Sequence, residues 1–268
     1  MSRRAQDAPD LSVILPCYNE EDSVAALTAE LDAVLQRIDL SSEILFVDDA
    51  STDSTPSVLR DLASRYPRVR VVRHRCNCGE SAAQATGFRH SRGHTLVTMD
   101  SDGQNDPADI PMLLALLEDA DVVCGIRRQR MDDRVKRISS RLANGFRNAV
   151  TGETIADAGC TYRALRRGAV AELPVFNGMH RFLPTLLRIQ GFRVVETPVH
   201  HRPRTAGVSK YGVGNRLWRG IVDCFAMRWW RRRAVPTERV GIPDATREVA
   251  DEGVFAPLAP ARREETSR

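Results

Sequence analysis

The segment Leu11–Glu20 reads LSVILPCYNE and joins a short apolar run to a polar turn. Four further segments are equally short and rich in β-branched residues: Glu43–Asp48, Val69–Arg73, Thr95–Asp100 and Asp121–Gly125. Nearly continuous apolar runs of this length are typical of strands buried on both faces. Helical spacing separates the runs, as in the apolar residues between Val24 and Ile38. This alternation predicts an α/β fold with a mainly parallel, Rossmann-like sheet flanked by helices.

The composition excludes several classes of protein. Of the 268 residues, 42% are apolar and 28% are charged, which rules out a wholly disordered or collagen-like chain. The formal net charge of +4 is too small for a dedicated nucleic-acid-binding protein, so we expect no nucleic-acid partner. The first ten residues lack the apolar stretch of a secretory signal, and no uncharged stretch approaches the ~18–20 residues that cross a bilayer.

Six cysteines are scattered through apparent core segments. Cys76 and Cys78 are separated by one residue, rather than by the two residues of a zinc knuckle or redox pair. The pattern favours buried structural thiols over a metal site, and hence a reducing, cytoplasmic compartment.

Four regions differ in composition. We expect a flexible N-terminus over 1–10, a folded domain over 11–212, an amphipathic helix over 213–233 and a disordered, mobile tail over 234–268. The tail is rich in Pro, Ala and mixed charge and shows no sustained period.

Polar side chains follow three of the predicted strands directly. Pro16, Tyr18 and Glu20 lie after the first strand, the pair Asp48-Asp49 after the second, and the turn Asp100–Gln104 (DSDGQ) after the fourth. Because ligands of α/β sheets bind beyond the carboxyl ends of the strands, we expect a binding site at this edge.

The turn after the fourth strand offers a set of hard oxygen ligands. Two carboxylates and an amide oxygen suit Mg²⁺ or Mn²⁺, and the predicted metal ligands are Asp100, Asp102 and Gln104. The alternative is that the two carboxylates cap the helix that begins near Asp106. Asp48-Asp49 on the neighbouring strand end favours a nucleotide site, because ribose hydroxyls and base N–H groups need acceptors.

The motifs, taken in order, resemble those of family 2 glycosyltransferases with the GT-A fold. In the first half they are Pro16–Glu21 (PCYNEE), Val47–Asp53 (VDDASTD) and Asp100–Gln104. Three downstream motifs resemble the polyprenyl-phosphate branch of that family, which includes dolichol-phosphate mannosyltransferase: Asp157–Arg163 (DAGCTYR), Gly178–Phe182 (GMHRF) and His201–Gly212 (HRPRTAGVSKYG). Ala50 departs from the family pattern, since relatives often have Gly or Asn there.

The resemblance implies a nucleotide-sugar donor, linked to UDP or GDP. Pro16, Tyr18 and Glu20 would border the nucleotide, and Asp48 or Asp49 would bind the base or ribose together with Asp100. The metal ligands would hold the cation on the diphosphate, where it acts as a Lewis acid on the leaving group. Such an enzyme would invert the anomeric configuration.

The acceptor implied by the resemblance is a polyprenyl phosphate, which explains the arginines of the second half. A monophosphate carries about −1.5 to −2 charges near neutral pH, so it needs charge neutralisation more than a general base. The predicted acceptor-phosphate ligands are Arg127, Arg137, Arg202, Ser209 and Lys210. Asp102, Arg127, Arg202 and Lys210 form the predicted catalytic set, and further contacts to sugar or acceptor are expected from Asp157, His180 and Arg181. The alternative for the arginines is a solvated helix face.

The helix predicted over 213–233 combines Trp218, Trp229 and Trp230 with arginines at its end. This pattern suits a helix that lies on anionic lipid, so we expect peripheral attachment to the cytoplasmic face of the membrane. The alternative is that the helix packs on its own domain or on a second copy in a homo-oligomer.

Two other functions remain open from the residues alone. One is a family 2 glycosyltransferase that uses a hydroxyl acceptor on a glycan or lipid, for which Asp157 is the strongest candidate base. The other is a non-catalytic nucleotide-sugar-binding or membrane-adaptor module, which the complete Asp-x-Asp-x-Gln set argues against.

Overall fold

The computed structural model describes residues 8–127, 134–203 and 214–235, without the side chains of 134–142 and 214–219. Within these residues the strands are β1 (Leu11–Cys17), β2 (Ser42–Asp48), β3 (Val69–Arg73), β4 (Thr95–Thr98), β5 (Val122–Arg127), β6 (Arg163–Arg166) and β7 (Val194–Val199). The helices are α1 (Val24–Leu35), α2 (Thr55–Arg65), α3 (Glu80–His90), α4 (Ile110–Leu116), α5 (Arg134–Thr151), α6 (Met179–Gln190) and α7 (Gly214–Arg233). The predicted boundaries of the terminal segments, 1–10 and 234–268, fall largely outside the described residues.

The strands form one sheet in the order β3-β2-β1-β4-β6-β5-β7. β1 pairs in parallel with both β2 and β4, β2 pairs in parallel with β3, and β5 pairs in parallel with β7. β6 is antiparallel to both of its neighbours. The predicted α/β class with a mainly parallel sheet is therefore confirmed, and the central antiparallel strand is an element that the sequence pattern did not indicate.

The alternation of side chains along β1 explains how the sheet forms a core on each face. Leu11, Val13 and Leu15 point to the layer of α1, α2 and α4, whereas Ile14 points to the layer of α3 and α6. All four are fully buried. Since β1 lies in the middle of the sheet, this alternation gives the nearly continuous apolar run seen in the sequence.

β4 ends at Thr98, two residues before the predicted end at Asp100. The backbone N–H of Asp100 donates to the side-chain oxygen of Asn105 at 3.0 Å. The turn that carries the acidic residues therefore begins directly after Thr98, and the backbone N–H of Asp100 finds its hydrogen-bond acceptor within the turn.

α7 begins one residue after the predicted helix start and ends at the predicted Arg233. One face packs on its own domain, where Cys224 and Met227 are buried beside α6. Arg231 fixes the same helix to the end of α5, because its guanidinium donates to the carbonyl oxygens of Thr151 and Gly152 at 2.7 and 2.6 Å. Among the described residues, no helix is both long and apolar enough to cross a membrane.

The expectation that all cysteines are buried is wrong for two of them. Four thiols lie in the interior, but Cys76 and Cys78 are exposed. These two residues lie on the loop between β3 and α3, where the described residues of the chain leave both thiols exposed.

Gly87 is the point of closest approach between α3 and the sheet. A Cβ atom at this position would collide with the Cγ2 atom of Ile14 and contact Val47. We expect Gly87→Ala to lower the free energy of unfolding by about 1–3 kcal/mol, because the core has no room for the added methyl group. Urea denaturation followed by circular dichroism measures this change.

Gly145→Ala on α5 is the matched control. Gly145 is exposed and a Cβ atom there meets nothing within 4 Å. We expect this substitution to stabilise the protein by about 0.5–1 kcal/mol, since alanine restricts the unfolded chain. Equal effects of the two substitutions would contradict the proposed close contact of α3 with β1.

Candidate active site

The candidate site lies at the edge of the sheet where β2, β1 and β4 end side by side. Cys17 at the end of β1 is in register with Asp48 at the end of β2. The turn that follows β4 is fixed to β1, since Ser101 Oγ donates to the carbonyl oxygen of Pro16 at 2.8 Å. The three polar segments predicted from the sequence therefore meet at this edge, with Pro16, Tyr18 and Glu20 partly exposed on it.

The loops after β1 and β2 are joined by hydrogen bonds. The N–H of Asn19 donates to Ser51 Oγ at 2.9 Å, and the N–H of Thr52 donates to Asn19 Oδ1 at 2.7 Å. Both loops turn through left-handed backbone, with φ of 54° at Asn19 and 59° at Ala50. Asn adopts this conformation readily and Ala does not, which gives a physical reason for the Gly or Asn that relatives often have at position 50.

Asp48 is fully buried and its carboxylate supports its own loop. One oxygen accepts from the N–H of Ser51 at 2.9 Å, and the other forms an ion pair with Arg73 Nε at 3.0 Å. These contacts fix the start of the loop after β2.

Asp49 is 3% exposed and its carboxylate anchors the loop that precedes α3. Its Oδ1 accepts from the N–H of Cys78 at 2.8 Å and lies 2.7 Å from His74 Nδ1. Its Oδ2 accepts from the N–H of Gly79 at 2.7 Å. The predicted role of Asp48 or Asp49 in binding base or ribose stays a prediction. In this structure both carboxylates are engaged within the protein.

The acidic turn after β4 brings two of the predicted metal ligands together. Asp102 is 7% exposed and its Oδ1 accepts from the N–H of Gln104 at 3.1 Å. Removal of the Asp100 carboxyl group from water, and then the nearby charge of Asp102, raise the pKa of Asp100 to about 6. Two carboxylates that repel each other would be stabilised by a divalent cation bound between them, because the cation neutralises their charge.

Gln104 differs from the two carboxylates in its surroundings. Its side-chain N–H₂ group donates to the backbone carbonyl oxygen of Arg202 at 3.3 Å, and its backbone carbonyl oxygen accepts from the backbone N–H of Arg202 at 2.8 Å. Asn105 pairs with His201 beside it in an isolated antiparallel bridge. The predicted role of Gln104 as a metal ligand is untested, and its observed contacts fix the segment that carries Arg202.

Arg127 and Asp157 form a bidentate ion pair at the end of β5. Arg127 Nε and one terminal nitrogen donate to the two oxygens of Asp157 at 2.8 and 2.9 Å. Hydrogen bonding to this carboxylate keeps the pKa of Arg127 above its ordinary value in spite of burial. The pair holds the segment before β6 against the sheet edge, and the Arg127 guanidinium lies near enough to Asp100 to lower the pKa of that carboxyl group.

Arg202 bridges two acidic residues at the surface. Its guanidinium lies 2.6 Å from Glu30 on α1 and 2.8 Å from Asp106 after the acidic turn. Side-chain exposure of 39% leaves this guanidinium accessible, in contrast to that of Arg127 at 18%.

His180 lies at the start of α6 and is 9% exposed. Its Nδ1 lies 2.7 Å from Ser81 Oγ, and its Nε2 lies 3.4 Å from a Glu80 oxygen. The residue therefore ties α6 to the start of α3. Arg181 is partly exposed and its carbonyl oxygen accepts a hydrogen bond from Arg147 at 3.4 Å. The predicted contacts of both side chains with sugar or acceptor remain predictions.

The remaining predicted acceptor ligands cannot be placed. Ser209 and Lys210, and the side chain of Arg137, lie outside the described residues.

Arg163, the first residue of β6, is a charged residue whose place the sequence did not indicate. Its side chain is fully buried, and none of its three guanidinium nitrogens donates a hydrogen bond to a described residue. Its charge acts, with that of Arg127, to lower the pKa of Asp100 against the effect of burial. The available signal was weak, because β6 reads RALR with an arginine at each end, a pattern that also suits a loop.

The architecture is that of GT-A glycosyltransferases. A mannosyltransferase from Pyrobaculum calidifontis, solved with GDP-Man and Mn²⁺, superposes with a TM-score of 0.55 over 93% of this chain and 77% of its own, at 20% identity. Glucosyl-3-phosphoglycerate synthase from Mycobacterium tuberculosis, solved with Mn²⁺ and UDP-glucose, superposes with a TM-score of 0.59 over 83% of this chain and 79% of its own, also at 20% identity. The predicted fold class is thus confirmed.

The chain belongs to glycosyl transferase family 2, whose sequence profile matches residues 12–173. An undecaprenyl-phosphate 4-deoxy-4-formamido-L-arabinose transferase of Edwardsiella ictaluri is 37% identical over 76% of this chain. A dodecaprenyl-phosphate galacturonate synthase of Rhizobium johnstonii is 34% identical over 83% of it. These matches confirm the resemblance to the polyprenyl-phosphate branch. The chain spans 63% of the length of the first relative and 68% of the second.

The charge of Asp100 gives a test of the metal site. The pKa of Asp100 is raised from 3.8 to about 6 in the folded protein, so the folded state favours the protonated carboxyl group. The contribution of Asp100 to the free energy of unfolding is therefore fully present below about pH 4 and is lost as the pH rises through 6. Asp100→Asn should therefore stabilise the metal-free protein at pH 8 by roughly 1–3 kcal/mol, change it little at pH 4, and abolish stabilisation by Mn²⁺. Thermal unfolding at the two pH values, with and without Mn²⁺, measures all three effects.

Asp119→Asn is the control, because Asp119 is exposed and far along the chain from the acidic turn. We expect it to behave like the wild type in every condition. Retention of the full Mn²⁺ effect by Asp100→Asn would remove this residue from the metal site.

Proposed function

We propose that this chain transfers a sugar from a nucleotide-sugar donor to a polyprenyl phosphate and so forms a lipid phosphosugar, with inversion at the sugar. The observation that carries the proposal is the position of Asp100 and Asp102 on the turn after β4, which Ser101 fixes to the end of β1, in a family 2 chain. The names of the two relatives, each of which specifies a polyprenyl phosphate, support the choice of acceptor.

On the donor side, Asp100 and Asp102 would hold a divalent cation, Mg²⁺ or Mn²⁺, with Gln104 as a third oxygen ligand. A bound cation supplies Lewis acidity that takes up negative charge on the departing nucleoside diphosphate. The backbone N–H of Asp100 donates to Asn105 Oδ1, and the Asp102 carboxylate accepts from the N–H of Gln104, so the turn that carries both carboxylates is held by its own hydrogen bonds. Pro16, Tyr18 and Glu20 lie on the same rim and would border a UDP or GDP nucleotide.

On the acceptor side, the ion pair of Asp157 favours a phosphate over a hydroxyl group. A hydroxyl acceptor needs a general base, and a carboxylate held by two hydrogen bonds from a guanidinium is a weak one. A phosphate is already anionic and requires cations. The charge of Arg127 is offset by Asp157, whereas the more accessible Arg202 can exchange a carboxylate partner for a phosphate.

The membrane is the proposed source of the acceptor, and an exposed apolar patch supports this. The patch consists of Phe146 on α5 and four residues of α7, namely Val222, Phe225, Trp229 and Trp230, with exposures of 37–59%. The rings of Phe146 and Phe225 contact each other edge to face, with their centroids 6.5 Å apart. Arg232 and Arg233 lie beside the patch and are exposed, so that it combines aromatic and cationic groups as interfacial helices do. We place this patch on the cytoplasmic face of the membrane.

Product analysis tests the reaction itself. The purified protein is incubated with Mn²⁺ or Mg²⁺, undecaprenyl phosphate and a panel of UDP- and GDP-linked sugars, and the organic phase is analysed by mass spectrometry. We expect one hexose- or pentose-phosphate lipid, and at least about a 100-fold loss of rate in Asp102→Asn, because the cation stabilises charge that develops in the transition state.

Undecaprenol, which lacks the phosphate, is the matched control acceptor. Transfer to the alcohol, or to an added glycan, in place of the phosphate would favour the hydroxyl-acceptor reaction. A folded protein that yields no lipid-linked sugar with any donor would contradict the proposed reaction.

Vesicle binding tests the apolar patch. The double variant Phe225→Ser, Trp229→Ser should bind vesicles that contain phosphatidylglycerol at least tenfold more weakly, since it removes two large apolar side chains from the contact. Leu116→Ser is the control, because Leu116 is an exposed apolar residue of α4 outside the patch. Flotation assays compare the three proteins, and equal binding by all of them would remove the patch from membrane attachment.

A further inference from the structure

The loop between β3 and α3 presents three potential soft-metal ligands at alternate positions: His74, Cys76 and Cys78. The two thiols are exposed, and their sulfur atoms lie 3.7 Å apart. One ligand atom each of Asp49, His74 and Cys78 lies within 4.8 Å of the others. Asp49, His74 and Cys78 therefore form a three-residue cluster, and Cys76 adjoins it through its contact with Cys78. The proposed transfer reaction assigns no role to His74, Cys76 or Cys78, whereas Asp49 is also a predicted base or ribose ligand.

We propose that Asp49, His74, Cys76 and Cys78 form a zinc site. Two cysteines, one histidine and one carboxylate make up a ligand set that zinc binds in tetrahedral geometry. A Zn–S bond of about 2.3 Å gives a tetrahedral S–S edge of about 3.8 Å, and the sulfur atoms already stand at nearly that separation. Thiolate ligands select zinc over the hard cations Mg²⁺ and Mn²⁺, which distinguishes this site from Asp100 and Asp102.

Hydrogen bonds behind the ligands hold two of them in place. The second ring nitrogen of His74 lies 2.8 Å from Thr86 Oγ1 on α3, and the second oxygen of Asp49 accepts from the N–H of Gly79 at 2.7 Å. Partners of this kind fix the orientation of a metal-binding imidazole or carboxylate. The contact of 2.7 Å between His74 Nδ1 and Asp49 Oδ1 is exchanged for two bonds to the metal when zinc binds.

Zinc binding at this site releases protons, because the ligands are thiolates and a neutral imidazole. The metal joins the loop to the end of β2 at Asp49 and so stiffens the rim beside the candidate active site. The proposal does not depend on the acceptor or on the reaction.

Cobalt substitution tests the site directly. The full-length protein is stripped of metal, reduced with a phosphine and titrated with Co²⁺, followed by Zn²⁺. We expect one equivalent of Co²⁺ to produce a thiolate-to-cobalt charge-transfer band and the intense visible bands of tetrahedral cobalt, and Zn²⁺ to displace them. Cys76→Ser and Cys78→Ser, at exposed positions that do not contribute to the core, should each weaken binding by more than ~10–100-fold.

Two control variants show whether the bands belong to these four ligands. Arg75→Ser changes the same loop at an exposed residue that is not a ligand, and it should retain the bands. The double variant Asp100→Asn, Asp102→Asn should also retain them, because it alters only the proposed Mg²⁺ or Mn²⁺ site.

Thr86→Val, which removes the hydrogen bond to His74, should weaken zinc binding ~10–100-fold without loss of either thiol.

Three results would overturn the zinc site. They are the absence of a thiolate band in the reduced wild type, unchanged zinc affinity in both serine variants, and a Cys76–Cys78 disulfide that persists under phosphine reduction and excludes the metal. Thermal unfolding of each variant without metal shows whether it is folded, so that loss of zinc binding is not confused with loss of structure.

Discussion

The buried carboxylate of Asp49 is the contact on which the rim of the site depends. It links the end of β2 to the loop before α3, because the N–H groups of Cys78 and Gly79 donate to it. A carboxyl group that is 3% exposed is tolerated because these N–H groups, together with His74, satisfy its oxygens. Without it the N–H groups of Cys78 and Gly79, directly before α3, would lose their acceptor, and the loop beside the candidate site would lose its anchor.

The acidic turn after β4 uses charge in the opposite way. Asp48 and Asp49 are balanced by hydrogen bonds and a cation within the protein, whereas Asp100 and Asp102 repel each other and the pKa of Asp100 rises to about 6. Arg127 and the fully buried Arg163 reduce this repulsion only in part. At this sheet edge, the carboxylates of Asp48 and Asp49 are engaged in contacts that hold the loops together, whereas Asp100 and Asp102 are the pair that we propose for a divalent cation.

The second half of the chain was harder to predict than the first. The strands β1 to β5 follow from apolar runs of β-branched residues, and their ends were predicted to within about two residues. β6 was missed because it has only four residues and begins and ends with arginine, a pattern that also suits a loop. The partnership of Arg127 with Asp157 was missed for a related reason: the two residues are 30 positions apart, and the sequence gives no sign that β5 and the segment before β6 lie together.

The sequence by itself determined the α/β class, the family and the edge of the sheet at which the acidic motifs gather, because strand periodicity and motif order are local properties of the chain. Only the tertiary structure decided which charged groups face one another. It placed Asp157 against Arg127, brought Cys76 and Cys78 to the surface beside His74, and left Phe225 and Trp229 exposed on α7. These outcomes depend on contacts between residues distant in sequence, whose energies are set by burial and neighbouring charge rather than by residue type.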